Sequence, residues 1–174
     1  MARVIEGNYS GEGLRVGVVV SRFNEFVTKL MLDGAVNELR RAGVSEAALS
    51  VVWVPGAYEI PLACQNLCRS EKFDALVAIG CIIRGETSHY EHIAQSVCDG
   101  VQEVSLALSI PIGFGVITVE DVAQAMDRAG GKQGNKGRDA ARSALEMTQV
   151  LRKMKGGEER ETTFKELIAQ QFRK

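Results

Sequence analysis

The feature that most constrains the fold is an alternation between short apolar runs and longer segments with helical spacing. The apolar runs are rich in β-branched residues and are bounded by glycine, proline or charged residues, a pattern typical of buried strands. We predict strands over residues 15–20, 50–54, 74–83 and 110–118. Because a helical segment follows each strand, the sequence predicts a parallel sheet with helices on both faces.

Three of the helices are predicted from apolar stripes on one face. Their apolar positions are Leu32, Ala35, Val36 and Leu39; Ile93, Val97, Val101, Val104 and Leu108; and Ala140, Ala144, Met147, Leu151 and Met154. A shorter helix is predicted over residues 119–128, followed by a glycine-rich loop over 129–137. Residues 1–10 are a candidate for an additional edge strand, and residues 156–174 are predicted to form a charged tail outside the core.

Composition and charge disfavour several classes of function. A chain of 174 residues is long enough for one domain with a sizeable core. Its net charge of −1 disfavours nucleic-acid binding, because the summed field attracts phosphate backbones only weakly. No apolar run approaches the roughly 20 residues that span a bilayer, and the polar first 13 residues do not resemble a signal peptide. We therefore expect a cytoplasmic protein that does not bind membranes.

The four cysteines show neither a disulfide framework nor a metal-ligand pattern. Cys64 and Cys68 lie four residues apart on a predicted helix, whereas Cys81 and Cys98 lie in other elements. This spacing differs from the paired ligands of zinc sites. We interpret the cysteines as small buried apolar residues and expect no metal.

In sheets of this kind, ligands bind beyond the carboxyl ends of the strands. The third predicted strand is followed by RGETSHYE, in which Ser88 and Glu91 have the spacing of a capping box, so a helix is predicted to begin near His89. The amides of Glu86 and Thr87 would then form an anion site, with His89 as a neutral proton relay beside it. A capped helix that carries an exposed histidine explains the same residues equally well.

The other strand ends offer further candidates, each with a structural alternative. Phe23 could stack on a flat heterocycle or close the end of the core. Tyr58 and Glu59 follow the second strand, and Glu59 could bind sugar hydroxyls or stabilise a helix N-terminus. His92 does not belong to an H-E-x-x-H motif, and we interpret it as a structural or solvated residue.

Arg128 and Lys136 flank the glycine-rich stretch RAGGKQGNKG. Its glycines suit close approach to a ligand or to a neighbouring chain, and they suit a solvated turn as well. The stretch does not match a P-loop, since G-x-x-x-x-G-K-[ST] is absent.

Five segments together resemble a known family. SRFNE, VPGAYEIP, IGCIIRGETSHYEHIA, PIGFGVIT and DRAGGKQGNKGRDAA occur in the order and at the spacing of the lumazine synthases, over residues 1–155. The resemblance implies a flavodoxin-like, three-layer sandwich. It also implies condensation of 5-amino-6-(D-ribitylamino)uracil with 3,4-dihydroxy-2-butanone 4-phosphate to 6,7-dimethyl-8-ribityllumazine, phosphate and water, the penultimate step of riboflavin biosynthesis. No cofactor is implied. The tail over 156–174 has no counterpart in the family core.

The resemblance also implies a role for individual residues, with His89 as the proton-transfer residue. The substrate-binding residues that it implies within one subunit are Phe23 on the pyrimidine with Asn24 beside it, Ala57, Tyr58 and Glu59 on the ribityl-bearing substrate, Cys81, Ile82 and Ile83 on the uracil edge, and Glu86 and Thr87 on the phosphate. The adjacent subunit would add Arg128 on the phosphate and Phe114 and Lys136 on the pyrimidine. Glu86 would place a negative carboxylate beside the bound phosphate, which is unfavourable. We therefore expect its side chain to turn away toward Arg84.

Self-association into pentamers is implied as well. The glycine-rich stretch resembles that of members that form icosahedral shells of 60 subunits, so we expect a shell, with riboflavin synthase as a candidate partner. Two other functions use the same sequence features. A flavodoxin-like module would hold a flavin or lumazine without turnover, and a scaffold protein would need only the shell.

Overall fold

The structure is a computed structural model that describes residues 2–70 and 72–156. Eleven α-helices and β-strands follow one another along the described part of the chain. They are β1 Val16–Ser21, α1 Glu25–Arg41, β2 Leu49–Val54, α2 Ile60–Ser70, β3 Ala75–Ile83, α3 His89–Leu108, β4 Ile112–Val119, α4 Val122–Arg128, β5 Ala129–Gly131, β6 Gly134–Asn135 and α5 Lys136–Gly156. The four predicted strands of the sheet and the predicted helices are confirmed. Among the described residues, none of these helices is long and apolar enough to cross a membrane.

The main sheet is parallel, with the strand order β2-β1-β3-β4. The chain moves from β1 outward to β2 and then returns to the other side of β1 for β3, so the strand order reverses between β1 and β3. At this point the two strands have unequal lengths. The pairing of β1 with β3 ends at Val20 and Ile79, whereas β3 pairs with β4 as far as Ile83. The end of β3 therefore projects past β1. In sheets of this kind, ligands bind where the strand order reverses, and we refer to the side of β3 next to the end of β1 as the crevice.

Helices cover both faces of this sheet, as predicted. Val16, Val18 and Val20 point to one face, where they pack in a core with α1 and α5. Val19 points to the other face, where α2 and α3 close a second core. Alternate strand residues thus supply the two apolar layers, because side chains alternate across a strand, and the three-layer sandwich is confirmed.

Glycines allow α5 to lie unusually close to its neighbours. A Cβ at Gly113 of β4 would collide with the backbone carbonyl of Ala140, and a Cβ at Gly137 would collide with that of Met31. These contacts press the first turns of α5 against β4 and α1. The predicted apolar stripe of α5 is wrong at two positions, because Met147 and Met154 are 45% and 60% exposed. The residues that face the core are Ala140, Ala144 and Leu145.

The predicted edge strand over residues 1–10 is wrong for this chain. Residues 2–10 belong to no strand in the described part of the molecule. Side chains of α5 bind this segment instead, since Gln149 Nε2 donates to the carbonyl of Ser10 and Lys153 Nζ to that of Glu6, each over 2.7 Å. The segment therefore lies along α5 rather than beside the sheet.

The glycine-rich stretch is a small hairpin rather than the predicted loop. Strands β5 and β6 pair antiparallel, with Gly130 and Gly134 at positive φ. Asn135 fixes the hairpin to the core, because its Nδ2 donates to the carbonyls of Leu30 (2.9 Å) and Ala129 (3.0 Å). The predicted tail lies outside the described residues beyond Gly156, which ends α5.

Candidate active site

Hydrogen bonds join the carboxyl ends of all four parallel strands. Asn24, which precedes α1, has a left-handed backbone conformation that asparagine tolerates well, and its Nδ2 donates to the carbonyl of Cys81 over 2.9 Å. This bond spans the crevice between β1 and β3. The other links are Arg22 N to Val54 O (2.8 Å), Phe23 N to Pro55 O (3.0 Å) and Arg84 N to Val119 O (2.9 Å). The segments that follow the strands are thereby held at one edge of the sheet.

Two aromatic side chains stand exposed at this edge. Phe23 is 71% exposed and Tyr58 is 61% exposed. The interpretation of Phe23 as a plug of the core is therefore wrong, because a ring so exposed contributes little to packing. An exposed aromatic ring at a crevice is suited to stacking on a flat ligand.

Glu59 is held by its own turn. Its Oε2 accepts a hydrogen bond from the backbone N–H of Gly56 over 2.9 Å, so the structural role expected for this carboxylate is present. Its Oε1 has no hydrogen-bond partner among the described residues. The carboxylate is thus oriented by one oxygen and can accept a ligand hydroxyl with the other. Ala57, in the same turn, is buried.

The end of β3 offers mainly backbone to the crevice. Cys81 and Ile82 are buried, and Ile83 is half-buried. Because β1 has already ended, the backbone edge of residues 80–83 on that side is free of ladder pairing, apart from the Asn24 hydrogen bond. Free backbone donors and acceptors at the end of a parallel strand can pair with the edge of a heterocycle.

Helix α3 begins at His89, as predicted, but the capping-box hydrogen bonds are absent from the described part of the chain. Ser88 makes no side-chain cap, and the Glu91 carboxylate accepts instead from the Tyr90 hydroxyl over 3.2 Å. The side chains of Glu86, Thr87 and His89 are exposed. The first amides of a 20-residue helix thus lack a side-chain acceptor, which leaves them available to an anion.

Glu86 does not pair with Arg84, contrary to our expectation. Arg84 instead forms an ion pair with Glu120, with 2.9 Å between Nη1 and Oε2. The reason is topological, because Arg84 and Glu120 directly follow the adjacent strands β3 and β4 and therefore lie side by side. His92, one turn into α3, is exposed, in agreement with its interpretation as a solvated residue.

The last three predicted residues lie around β4 rather than at the crevice. Phe114 is 45% exposed in the middle of this edge strand. Arg128 ends α4 and donates to the carbonyl of Gln124 (3.2 Å), and Lys136 begins α5 and pairs with Asp139 (3.0 Å). Phe114 lies on the edge strand with β3 between it and β1, whereas Phe23 and Tyr58 follow β1 and β2.

The whole of this arrangement falls within one family match. The family model described as 6,7-dimethyl-8-ribityllumazine synthase matches residues 13–152. The chain belongs to this family. The resemblance of the five motifs is thereby confirmed, and every candidate residue from Phe23 to Lys136 lies inside the matched range. Members of the lumazine synthase family are transferases of riboflavin biosynthesis that act on small molecules and assemble into oligomers.

Cys81 stands at the crevice of this lumazine synthase family member, yet its thiol is not suited to nucleophilic chemistry. Burial raises the pKa of Cys81 from its ordinary value of 9.0 to about 12. Burial, and then the neighbouring Cys68, raise the pKa of Cys64 to about 12 as well. Both thiols stay protonated at neutral pH, as expected for cysteines that act as apolar residues. Cys98 differs, because it is exposed.

We expect the exposed and the buried thiols to react at different rates at pH 8. Cys98 should react first with a thiol reagent, whereas Cys64 and Cys81 should react far more slowly, because burial shields them and raises their pKa, which lowers the thiolate fraction; the half-buried Cys68 should fall between them. A time course of thiol modification measures this, and Cys98→Ser should abolish the fast phase. Since the pKa values of Cys64 and Cys81 are higher in the folded state, the free energy of unfolding should fall as the pH rises from 9 toward 12. Fast modification of the native Cys81 would contradict the burial argument.

Sequence reasoning missed two features of the site. One is the Asn24 bridge between β1 and β3, and the other is the Arg84–Glu120 pair. A signal for the second was present, because charged residues of opposite sign directly follow two strands predicted to be parallel. The first had no local signal, since it depends on which strand becomes the neighbour of β1.

Proposed function

We propose that the protein condenses 5-amino-6-(D-ribitylamino)uracil with 3,4-dihydroxy-2-butanone 4-phosphate to give 6,7-dimethyl-8-ribityllumazine, phosphate and water. The observation that carries this proposal is the crevice between β1 and β3. An exposed aromatic ring, an oriented carboxylate and the uncapped start of α3 meet there at one edge of the sheet. The aromatic ring suits a flat heterocycle, the carboxylate suits the hydroxyls of a polyol, and the helix N-terminus suits a phosphate.

The pyrimidine substrate occupies the β1 and β2 side of this crevice. Phe23 stacks on its ring, with Asn24 beside it, and the ribityl hydroxyls bind Glu59 through the free Oε1. Tyr58 and Ala57 line the same region. The uracil edge pairs with the backbone at Cys81, Ile82 and Ile83, where the longer β3 has no strand partner on the β1 side.

The phosphorylated substrate binds at the turn before α3. The amides of Glu86 and Thr87 hold the phosphate, and His89 in the first helical turn transfers protons during imine formation, phosphate elimination and ring closure. Bringing two substrates together in this way can lower the barrier by up to ~7–11 kcal/mol. Proton transfer by His89 therefore adds to the rate enhancement that comes from holding the two substrates close together.

The last three candidate residues act in a neighbouring subunit. Phe114 lies on the edge strand β4, with β3 between it and β1, and Arg128 and Lys136 end and begin the two helices that pack beside β4. In a pentamer they would face the crevice of the next subunit, with Arg128 on the phosphate and Phe114 and Lys136 on the pyrimidine. We further propose that residues 1–155 form the catalytic domain and that pentamers assemble into a 60-subunit shell, with riboflavin synthase as a partner. Gel filtration and negative-stain microscopy measure the assembly.

One assay tests the proposed reaction. The purified full-length protein is mixed with both substrates, and the absorbance and fluorescence of the lumazine product are followed together with phosphate release. We expect product and phosphate in equal amounts, well above the rate of the uncatalysed mixture. Binding of the lumazine without any acceleration would instead identify a non-catalytic binding module, and a shell without either property would identify a scaffold.

A further inference from the structure

The turn that would hold the phosphate has few contacts of its own. Gly85 has open space where a Cβ would lie, and the side chains of Glu86, Thr87 and His89 make no hydrogen bond within residues 2–70 and 72–156. The binding of an anion by backbone amides depends on their orientation. Some other part of the structure must therefore fix the shape of this turn.

The side chain of Arg84 connects the two ends of that turn. Arg84 lies at its start, and the guanidinium carbon is 5.6 Å from the centroid of the Tyr90 ring, which lies just past its end in the first turn of α3. Tyr90 is half-buried and packs against the core that α2 and α3 share. The contact between Arg84 and Tyr90 thus links the two ends of the turn over residues 85–89, and Tyr90 is itself held by the core.

Glu120 fixes the other side of the guanidinium. Its carboxylate pairs with Arg84 Nη1 at 2.9 Å, and its own backbone N–H donates to Gln124 Oε1 at 3.2 Å, in the first turn of α4. The backbone N–H of Arg84 also donates to the carbonyl of Val119 at 2.9 Å. The hydrogen bond that Arg84 donates to Glu120 raises the pKa of the guanidinium, so Arg84 is a cation at neutral pH.

From these contacts we infer that Arg84, held between Glu120 and Tyr90, is a positioning residue that sets the geometry of the phosphate-binding turn and of His89. The inference rests on the proposed function. Its guanidinium is already engaged by a carboxylate and a ring, so it acts on the phosphate through the backbone of residues 85–88 and not by direct contact. We call the set Arg84, Tyr90 and Glu120 the clasp.

The test compares Arg84→Gln with Arg40→Gln in the full-length protein. Arg40 forms a solvent-exposed ion pair with Glu46 and is a matched control for the loss of one half-exposed arginine. We expect Arg84→Gln to raise the Kd of inorganic phosphate, measured by calorimetry, and the KM of the phosphorylated substrate by about tenfold, since a misplacement of 1 Å can cost up to about 10²-fold. The KM of the pyrimidine substrate should stay the same, and so should both values in Arg40→Gln. Equal changes in both KM values, or no change, would overturn the inference.

Glu120→Gln distinguishes the clasp from direct phosphate binding by Arg84. If Arg84 contacted the phosphate itself, removal of the competing carboxylate would tighten phosphate binding. The clasp predicts weaker binding, because the guanidinium loses one of its two supports, and tighter binding would overturn it. These Kd values do not require turnover. A wild-type protein that forms no product would therefore refute the proposed function, while the phosphate measurements would still decide the role of Arg84.

Discussion

Replacing His89 with alanine should slow turnover by about 10²–10⁴-fold at saturating substrates, the usual contribution of one general acid–base. His89 is exposed in the first turn of α3, next to the amides that would hold the phosphate, where a proton could pass to the departing group. Activity should not vanish, because the crevice still brings the two substrates together. The measurement is kcat for lumazine formation with both substrates in excess.

His92→Ala is the matched control for this variant. It removes the only other imidazole, from the same helix and with similar exposure, one turn farther from the proposed phosphate site. We expect its kcat to stay close to that of the wild type. A wild-type kcat in His89→Ala would remove His89 from the mechanism, and an equal loss in both variants would indicate an effect on the helix rather than on proton transfer.

The sheet could be predicted from sequence because its information is local. Each strand is a short run of β-branched residues, and the helices between them leave only a parallel arrangement with two covered faces. The hairpin of β5 and β6 lacks such a signal. Its strands are short and rich in glycine, and it is fixed by the Asn135 side chain, whose partner Leu30 lies 105 residues earlier. A pattern in a short stretch of sequence cannot predict a contact between residues so far apart in the chain.

The helical stripe of α5 shows a different limit. Periodicity predicted the helix, but it assigned Met147 and Met154 to the core because they are apolar. The structure turns both methionines outward, and Ala140, Ala144 and Leu145 face the core instead. In the first turns of the helix the backbones are so close that a Cβ at Gly113 would collide with the carbonyl of Ala140. The size of the residues, rather than their hydrophobicity, indicates the face of the closest contact.

The candidate site could be located from the rule for strand ends, but its internal contacts could not. Glu86 is two residues from Arg84 and was expected to turn toward it, yet Glu120, 36 residues later, is the partner. Contacts across a sheet depend on strand order, which places the ends of β3 and β4 together. Strand order also places Phe114 on the far side of β3 from β1, which agrees with the contribution from an adjacent subunit that the resemblance implies.

The proposed sharing of one site between two subunits leads to the second prediction with a large effect on activity. We expect His89→Ala and Arg128→Ala each to lose most activity alone, and a mixture of equal amounts, unfolded and refolded together, to regain about a quarter of the wild-type activity. In a ring with head-to-tail contacts, each site takes His89 from one subunit and Arg128 from the next. In the mixture His89 is intact in half of the subunits and Arg128 is intact in the other half. A site therefore receives both intact side chains in about one case out of four. If a single chain supplied both residues, every site in the mixture would carry a defect.

The double variant His89→Ala/Arg128→Ala, refolded with an equal amount of wild type, provides the control. A shared site again needs two intact neighbours, so about a quarter of the sites should be active, whereas a site within one chain would leave about half of them active. The two mixtures therefore give equal activity only if the site spans two subunits. Activity of about one half in the control, with none in the first mixture, would place the complete site within one chain and would contradict the assignment of Arg128 to the phosphate of a neighbour.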